Sequence, residues 1–102
     1  MPIATIKKQG TTLIVCPEGR LNTLRAPQLD QELQPHLEGV SQIVMDFSNV
    51  LYVSSSGLRL LLCLEQIMED RGGEVQVAHA NEAVLKTLEL AGFMDIVHVV
   101  EE

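Results

Sequence analysis

After an opening pair of strand-length runs, this sequence alternates short apolar runs with helix-period stripes, and that alternation limits the folds open to it more than any other feature. Ala4–Gln9 and Thr12–Pro17 flank Gly10-Thr11 and carry the β-branched content of two strands joined by a tight turn. Glu18 to Thr23 reads as a loop. In Leu24–Leu33, Pro27 suits the first turn of a helix and Leu29 and Leu33 recur one turn apart; Pro35 should end or kink that helix near Gln34. Ser41–Phe47 is mostly apolar and of strand length, which predicts a central strand covered on both faces.

The longest helical stretch runs from about Ser55 to Arg71 and stops at Gly72-Gly73. Glu74–Ala78 alternates as a strand does, Asn81 is a plausible N-cap, and Val84, Leu85, Leu88 and Ala91 make the stripe of a third helix closed by Gly92. Ile96–Val100 is a last short strand. The expected order is β-β-α-β-α-β-α-β. It implies one α/β domain over residues 1–102, with parallel pairings and right-handed crossovers.

Charge narrows the function. A formal net charge of -7 argues against nucleic acid as a direct ligand, because phosphate backbones are held by clustered Lys and Arg. No apolar stretch reaches membrane-spanning length, and Met1–Lys8 lack the apolar run and cleavage site of a secretory signal, so the expectation is a cytoplasmic protein without a membrane role. Cys16 falls in a strand and Cys63 in a helix with no spacing motif, which reads as two buried thiols in a reducing compartment.

Chemically, the chain stands out at Ser54-Ser55-Ser56-Gly57, where the long helix begins. Unpaired N–H groups and positive partial charge at a helix start favour an anion, so a phosphate on one of these serines would be stabilised and would add nearly two negative charges to the surface around it. The same residues also read as plain capping serines, with Gly57 permitting close packing. Along the helix, Gly57, Leu60, Leu61, Leu64, Ile67 and Met68 form the stripe expected on the sheet. Leu58 and Leu62 fall opposite, with Glu65 and Glu69. They read either as a docking patch for a partner or as ordinary exposed leucines.

Enzymatic readings find little support. A hydrolase elbow needs Gly-x-Ser-x-Gly, and Val53-Ser54-Ser55-Ser56-Gly57 lacks the first glycine. His36, His79 and His98 are scattered without metal-ligand spacing, and neither a phosphate loop nor a dinucleotide fingerprint occurs, so no cofactor and no catalysis are expected.

Asp46-Phe47-Ser48-Asn49-Val50-Leu51-Tyr52-Val53-Ser54-Ser55-Ser56-Gly57-Leu58 resembles the signature of bacterial anti-sigma factor antagonists of the STAS family, in which an Asp-Leu-Ser strand end leads to Asp-Ser-Ser/Thr-Gly-Leu at a helix start. Gly19-Arg20-Leu21-Asn22, Arg71-Gly72-Gly73-Glu74-Val75 and Leu90-Ala91-Gly92-Phe93 resemble three further segments of that family, in the same order. The resemblance implies the STAS fold, a mixed sheet flanked by helices. It also implies a serine, here Ser55 with Ser56 as the second candidate, phosphorylated by an anti-sigma factor serine kinase of the histidine-kinase-like ATPase fold. The unphosphorylated antagonist would bind that kinase through residues around the serine: Asn22, Ser54, Ser56, Gly57, Leu58 and Leu62. A PP2C-type phosphatase would reset the switch. At Asn22 and Ser54 the chain is neutral where the family usually carries acids. That departure is compatible with reduced repulsion toward ATP, with lost hydrogen bonds to the kinase, with lost or altered phosphorylation, or with a STAS subunit of a signalling scaffold or an ATP-driven transporter.

Overall fold

The computed structural model describes residues 2–100. Strands β1 (Ala4–Gln9) and β2 (Thr12–Pro17) form the expected antiparallel hairpin, in register from Ala4 opposite Pro17 to Gln9 opposite Thr12. The main sheet continues with β4 (Gln42–Asp46), β6 (Glu74–Ala78) and β7 (His98–Val100) in the order β1-β2-β4-β6-β7, every pairing beyond the hairpin being parallel. The connecting helices are α1 (Arg25–Leu33), α2 (Ser55–Asp70) and α3 (Glu82–Leu90). This is the mixed sheet flanked by helices that the alternation predicts.

The sequence does not announce a second, two-stranded sheet, in which β3 (Gly19–Leu21) pairs in parallel with β5 (Val50–Val53). Strands of three and four residues are too short to display a period; β3 lies in the segment that reads as a loop, and β5 in one that the sequence reading assigns to no element. Their pairing matters for function, because β3 runs into Asn22 and β5 into Ser54, and it sets these two chain segments side by side.

Burial alternates along the main strands. Leu13 and Val15, Ile43 and Met45, and Val75 and Val77 are buried and share one core with Leu29 and Leu33 of α1, Leu61, Leu64 and Met68 of α2, and Val84 and Leu88 of α3. The intervening Ile14, Val44 and Gln76 are only half-buried. The apolar run of β4 is therefore not covered equally on both faces as expected: one face carries the core, and Val44 lies on the more open one. The last strand is also two residues shorter than expected, because Phe93–Asp95 takes a 3-10 turn and Val97 is spent in the core.

The turn from α2 into β6 depends on Gly73, where a Cβ would fall 1.5 Å from the Ser41 carbonyl oxygen. No side chain fits there. Glu65 anchors the same helix from its middle: it is 8% exposed, and its Oε1 accepts the Val75 backbone N–H at 2.8 Å.

Candidate functional site

The three serines at the start of α2 have three different environments. Ser54 is the N-cap in extended conformation; its Oγ accepts from the Gly57 N–H at 3.4 Å and donates to the Leu21 carbonyl at 2.9 Å. Ser56 is half-buried, with its Oγ 3.5 Å from the Thr23 hydroxyl. Ser55 is exposed, and its hydroxyl has no hydrogen-bond partner among the described residues. Of the three, Ser55 is the exposed one and the one whose hydroxyl makes no hydrogen bond among the described residues.

Asn22, across from Ser54, is likewise engaged internally: its Oδ1 accepts from the backbone N–H groups of Leu24 at 3.1 Å and Arg25 at 2.9 Å, holding the turn into α1. Asn22 and Ser54 thus each engage a side-chain oxygen with the backbone, Asn22 at the turn into α1 and Ser54 as the cap of α2. Gly57 is buried where α2 crosses the short sheet; an added Cβ would stand 2.8 Å from Val53 Cγ1 and 3.0 Å from the Leu21 carbonyl oxygen. Close packing, not a side chain offered outward, is what Gly57 provides.

Leu58 and Leu62 do not sit on an exposed polar face opposite the core. Both are half-buried against it, and Glu65, expected beside them in solvent, is buried. The physical reason is that the core contacts α2 over a wide arc: the sheet takes Leu61, Leu64 and Met68, while Glu65 reaches the β6 backbone. Leu58 and Leu62 follow Ser55 at helical spacings of three and seven, so their exposed edges continue its side of the helix. Leu60 and Ile67 line the other flank, a groove of about 340 Å³ between α1 and α2 whose walls include Ala26, Pro27 and Leu64.

Three further residues stand at this site. Leu24, 74% exposed, stands on the Asn22 turn beside Thr23, which meets Ser56. Arg59 is exposed one turn after Ser55, in a helix whose first turn holds no acidic residue. The i, i+4 spacing of Ser55 and Arg59 was the available signal for Arg59; Thr23 and Leu24 gave none, since their position depends on the pairing of β3 with β5.

A second group of titratable residues lies at the carboxyl ends of three parallel strands. Cys16, next to last in β2, has its Sγ 3.8 Å from Asp46 Oδ2 on β4, and His79 follows β6 in a left-handed conformation with φ 61°. Burial raises the Cys16 pKa, and the negative Asp46 beside it raises it further. Burial also pushes Asp46 up, but the Ser48 donors, the nearby His79 and the Cys16 thiol outweigh it and hold the carboxyl below its usual value. Neither cysteine is fully buried, contrary to expectation. Cys16 is half-buried because it alternates with Val15 on the more open face of β2, and Cys63 is exposed one turn beyond Arg59 on α2.

Elsewhere His98 Nδ1 lies 3.3 Å from Glu74 Oε2 at the far edge of the sheet. Among the described residues no three His, Cys, Asp or Glu side chains converge as a metal-binding set, and no helix is long and apolar enough to cross a membrane.

Comparison with known proteins agrees with this architecture. The family described as Mlab, STAS domain matches residues 4–100. The chain is 31% identical over 93 residues to BtrV of Bordetella bronchiseptica, named as an anti-sigma factor antagonist, covering 90% of this chain and 80% of the relative. It is 26% identical over 84 residues to the anti-sigma-B factor antagonist of Staphylococcus aureus, covering 81% and 78% respectively. The anti-sigma factor antagonist SpoIIAA shares the fold in its unphosphorylated form, with TM-score 0.82 at 18% identity over 97% of this chain and 89% of that one. The Bacillus structure of SpoIIAA in its phosphorylated form superposes with TM-score 0.73 at 17% identity over 97% and 92%. With its four signature segments, its mixed sheet and these relatives, the chain belongs to the STAS-domain family of anti-sigma factor antagonists.

Proposed function

We propose that this protein works by partner switching in the cytoplasm. Its unphosphorylated form binds an anti-sigma factor that is also a serine kinase of the histidine-kinase-like ATPase fold, and phosphorylation of Ser55 weakens that binding. A PP2C-type phosphatase restores the binding form. The protein is substrate and ligand in this cycle, not an enzyme. The observation that carries the reading is the difference among the serines: Ser54 caps α2, Ser56 is half-buried against Thr23, and Ser55 alone presents a free, exposed hydroxyl.

Docking is assigned to the surface around Ser55, with Asn22, Ser54 and Ser56 shaping it, Gly57 setting the approach of α2, and the exposed edges of Leu58 and Leu62 completing it. A phosphate there adds close to two negative charges to a contact surface, which opposes binding by repulsion and desolvation without refolding the domain. The pair of structures of SpoIIAA, unphosphorylated and phosphorylated, supports a fold that tolerates the modification.

A second reading, a STAS subunit that is not phosphorylated and serves a signalling scaffold or a transporter, draws on the neutral Asn22 and Ser54, whose side-chain oxygens are engaged by hydrogen bonds to the backbone. Mass spectrometry after incubation with a serine kinase encoded beside its gene and magnesium ATP distinguishes the two. Phosphate on Ser55, with Ser55→Ala binding the kinase and Ser55→Asp binding it more weakly, supports the switch. Intact binding with no phosphate on any serine supports the second reading.

A further inference from the structure

Arg59 lies one turn beyond Ser55 on α2, both side chains are exposed, and residues at this spacing have Cβ atoms about 5–6 Å apart on one face of the helix. The helical neighbours of Arg59 at three and four residues on either side are Ser55, Ser56, Leu62 and Cys63. None is a carboxylate. Asp30 of α1 lines the same groove as Arg59, with its Oδ1 accepting the Gln34 amide at 2.8 Å, and Arg59 has no ion pair among the described residues. Arg25, the basic residue next to the Asn22 turn, is committed to the Glu18 carbonyl at 2.8 Å. On a chain with net charge -7 a guanidinium left without an acid in reach on its own helix is conspicuous.

We propose that Arg59 is the intrahelical counter-ion of phosphorylated Ser55: its guanidinium closes on the phosphate from one turn below and holds it against α2. This rests on the reading of Ser55 as the phosphate acceptor. The geometry suits it, since an anion placed four residues before a cation is the favoured order on a helix, and a guanidinium matches phosphate oxygens with paired N–H donors. Arg59 is then a positioning residue. In the unphosphorylated protein it faces solvent at the edge of the docking surface; in the phosphorylated protein it is drawn to Ser55, so that modification removes a free positive charge as well as adding negative ones.

The test installs phosphoserine at position 55 by genetic encoding, so that it does not depend on any kinase, and follows the phosphate by 31P NMR against pH in wild type, Arg59→Lys and Arg59→Gln. The second ionisation of a phosphoserine falls at about pH 6. It is expected to lie about half a unit lower in wild type than in Arg59→Gln, with Arg59→Lys between them, and the difference should shrink as salt is added. Without phosphate, Arg59→Gln should leave the melting temperature unchanged. Coincident titrations for wild type and Arg59→Gln would overturn the assignment of Arg59 and leave Ser55 phosphorylation untouched, whereas failure of every kinase to modify Ser55 would remove the reading beneath it without altering the NMR result.

Discussion

Ser54 Oγ donates to the Leu21 carbonyl at 2.9 Å while accepting from the Gly57 N–H at 3.4 Å, so one hydroxyl joins the end of β3 to the start of α2. The Ser54 backbone N–H donates to the same carbonyl. An ionised aspartate could accept from the helix but could not donate to Leu21, which gives the neutral residue at this position a structural reason. Ser54→Ala is expected to cost about 1 kcal/mol in urea unfolding, the usual worth of an N-cap. Ser54→Asp should recover only part of that at neutral pH, because a carboxylate would face a carbonyl; full recovery would show that the donation to Leu21 is unimportant.

Gly57→Ala should destabilise the fold although alanine is the better helix former by about 1 kcal/mol. The new methyl would meet a stiff Val53 side chain at 2.8 Å and the Leu21 backbone at 3.0 Å, so α2 must move away from the short sheet. A net loss of about 1–2 kcal/mol is expected from overpacking of this kind. Unfolding curves that coincide with wild type would show that α2 does not sit this close to β5.

Removing the Glu65 carboxylate leaves the Val75 N–H buried without its acceptor. Glu65→Ala is expected to cost about 1–3 kcal/mol on that account, and Glu65→Gln, which keeps a carbonyl oxygen in place, clearly less. Hydrogen exchange at the Val75 amide should accelerate in the alanine variant, and equal protection in both variants would count against the contact.

The two thiols should differ in alkylation rate at neutral pH. Cys63 is exposed, whereas burial and the Asp46 charge raise the Cys16 pKa and lower its thiolate fraction. Mass spectrometry of a timed iodoacetamide reaction should show Cys63 modified first, and Asp46→Asn should speed Cys16 several-fold; an unchanged Cys16 rate would mean that the carboxylate does not govern it.

Asp46 also bears on acid stability. Its folded pKa is depressed below 3.8, so the folded state binds protons less readily than the unfolded chain; the resulting stability is present above the unfolded value and disappears as pH falls through the folded one. Asp46→Asn should therefore flatten the loss of stability below about pH 4 relative to wild type, read from urea midpoints, and should change little of the slope above pH 6.

Local signals along the chain suffice for the hairpin, the three helices and the parallel pairing of the strands that alternate with them. Thr12–Pro17 and Glu74–Ala78 alternate, Pro35 and Gly72 stop helices, and Asn81 caps one, with its Oδ1 2.8 Å from the Val84 N–H. Ser54, Ser55 and Ser56 are equivalent as letters and become distinct once the chain is folded. Their differences come from the pairing of β3 with β5, two short strands about thirty residues apart in the chain whose contact no periodicity encodes. That pairing brings the Leu21 carbonyl to Ser54 and Thr23 to Ser56, and leaves Ser55 facing solvent with Arg59 below it. The faces of α2 are hard to read from the sequence for a related reason. A helical wheel gives directions, but the width of the buried arc depends on how closely the sheet approaches, and here that approach is set by Gly57 and by Glu65 reaching the backbone of β6.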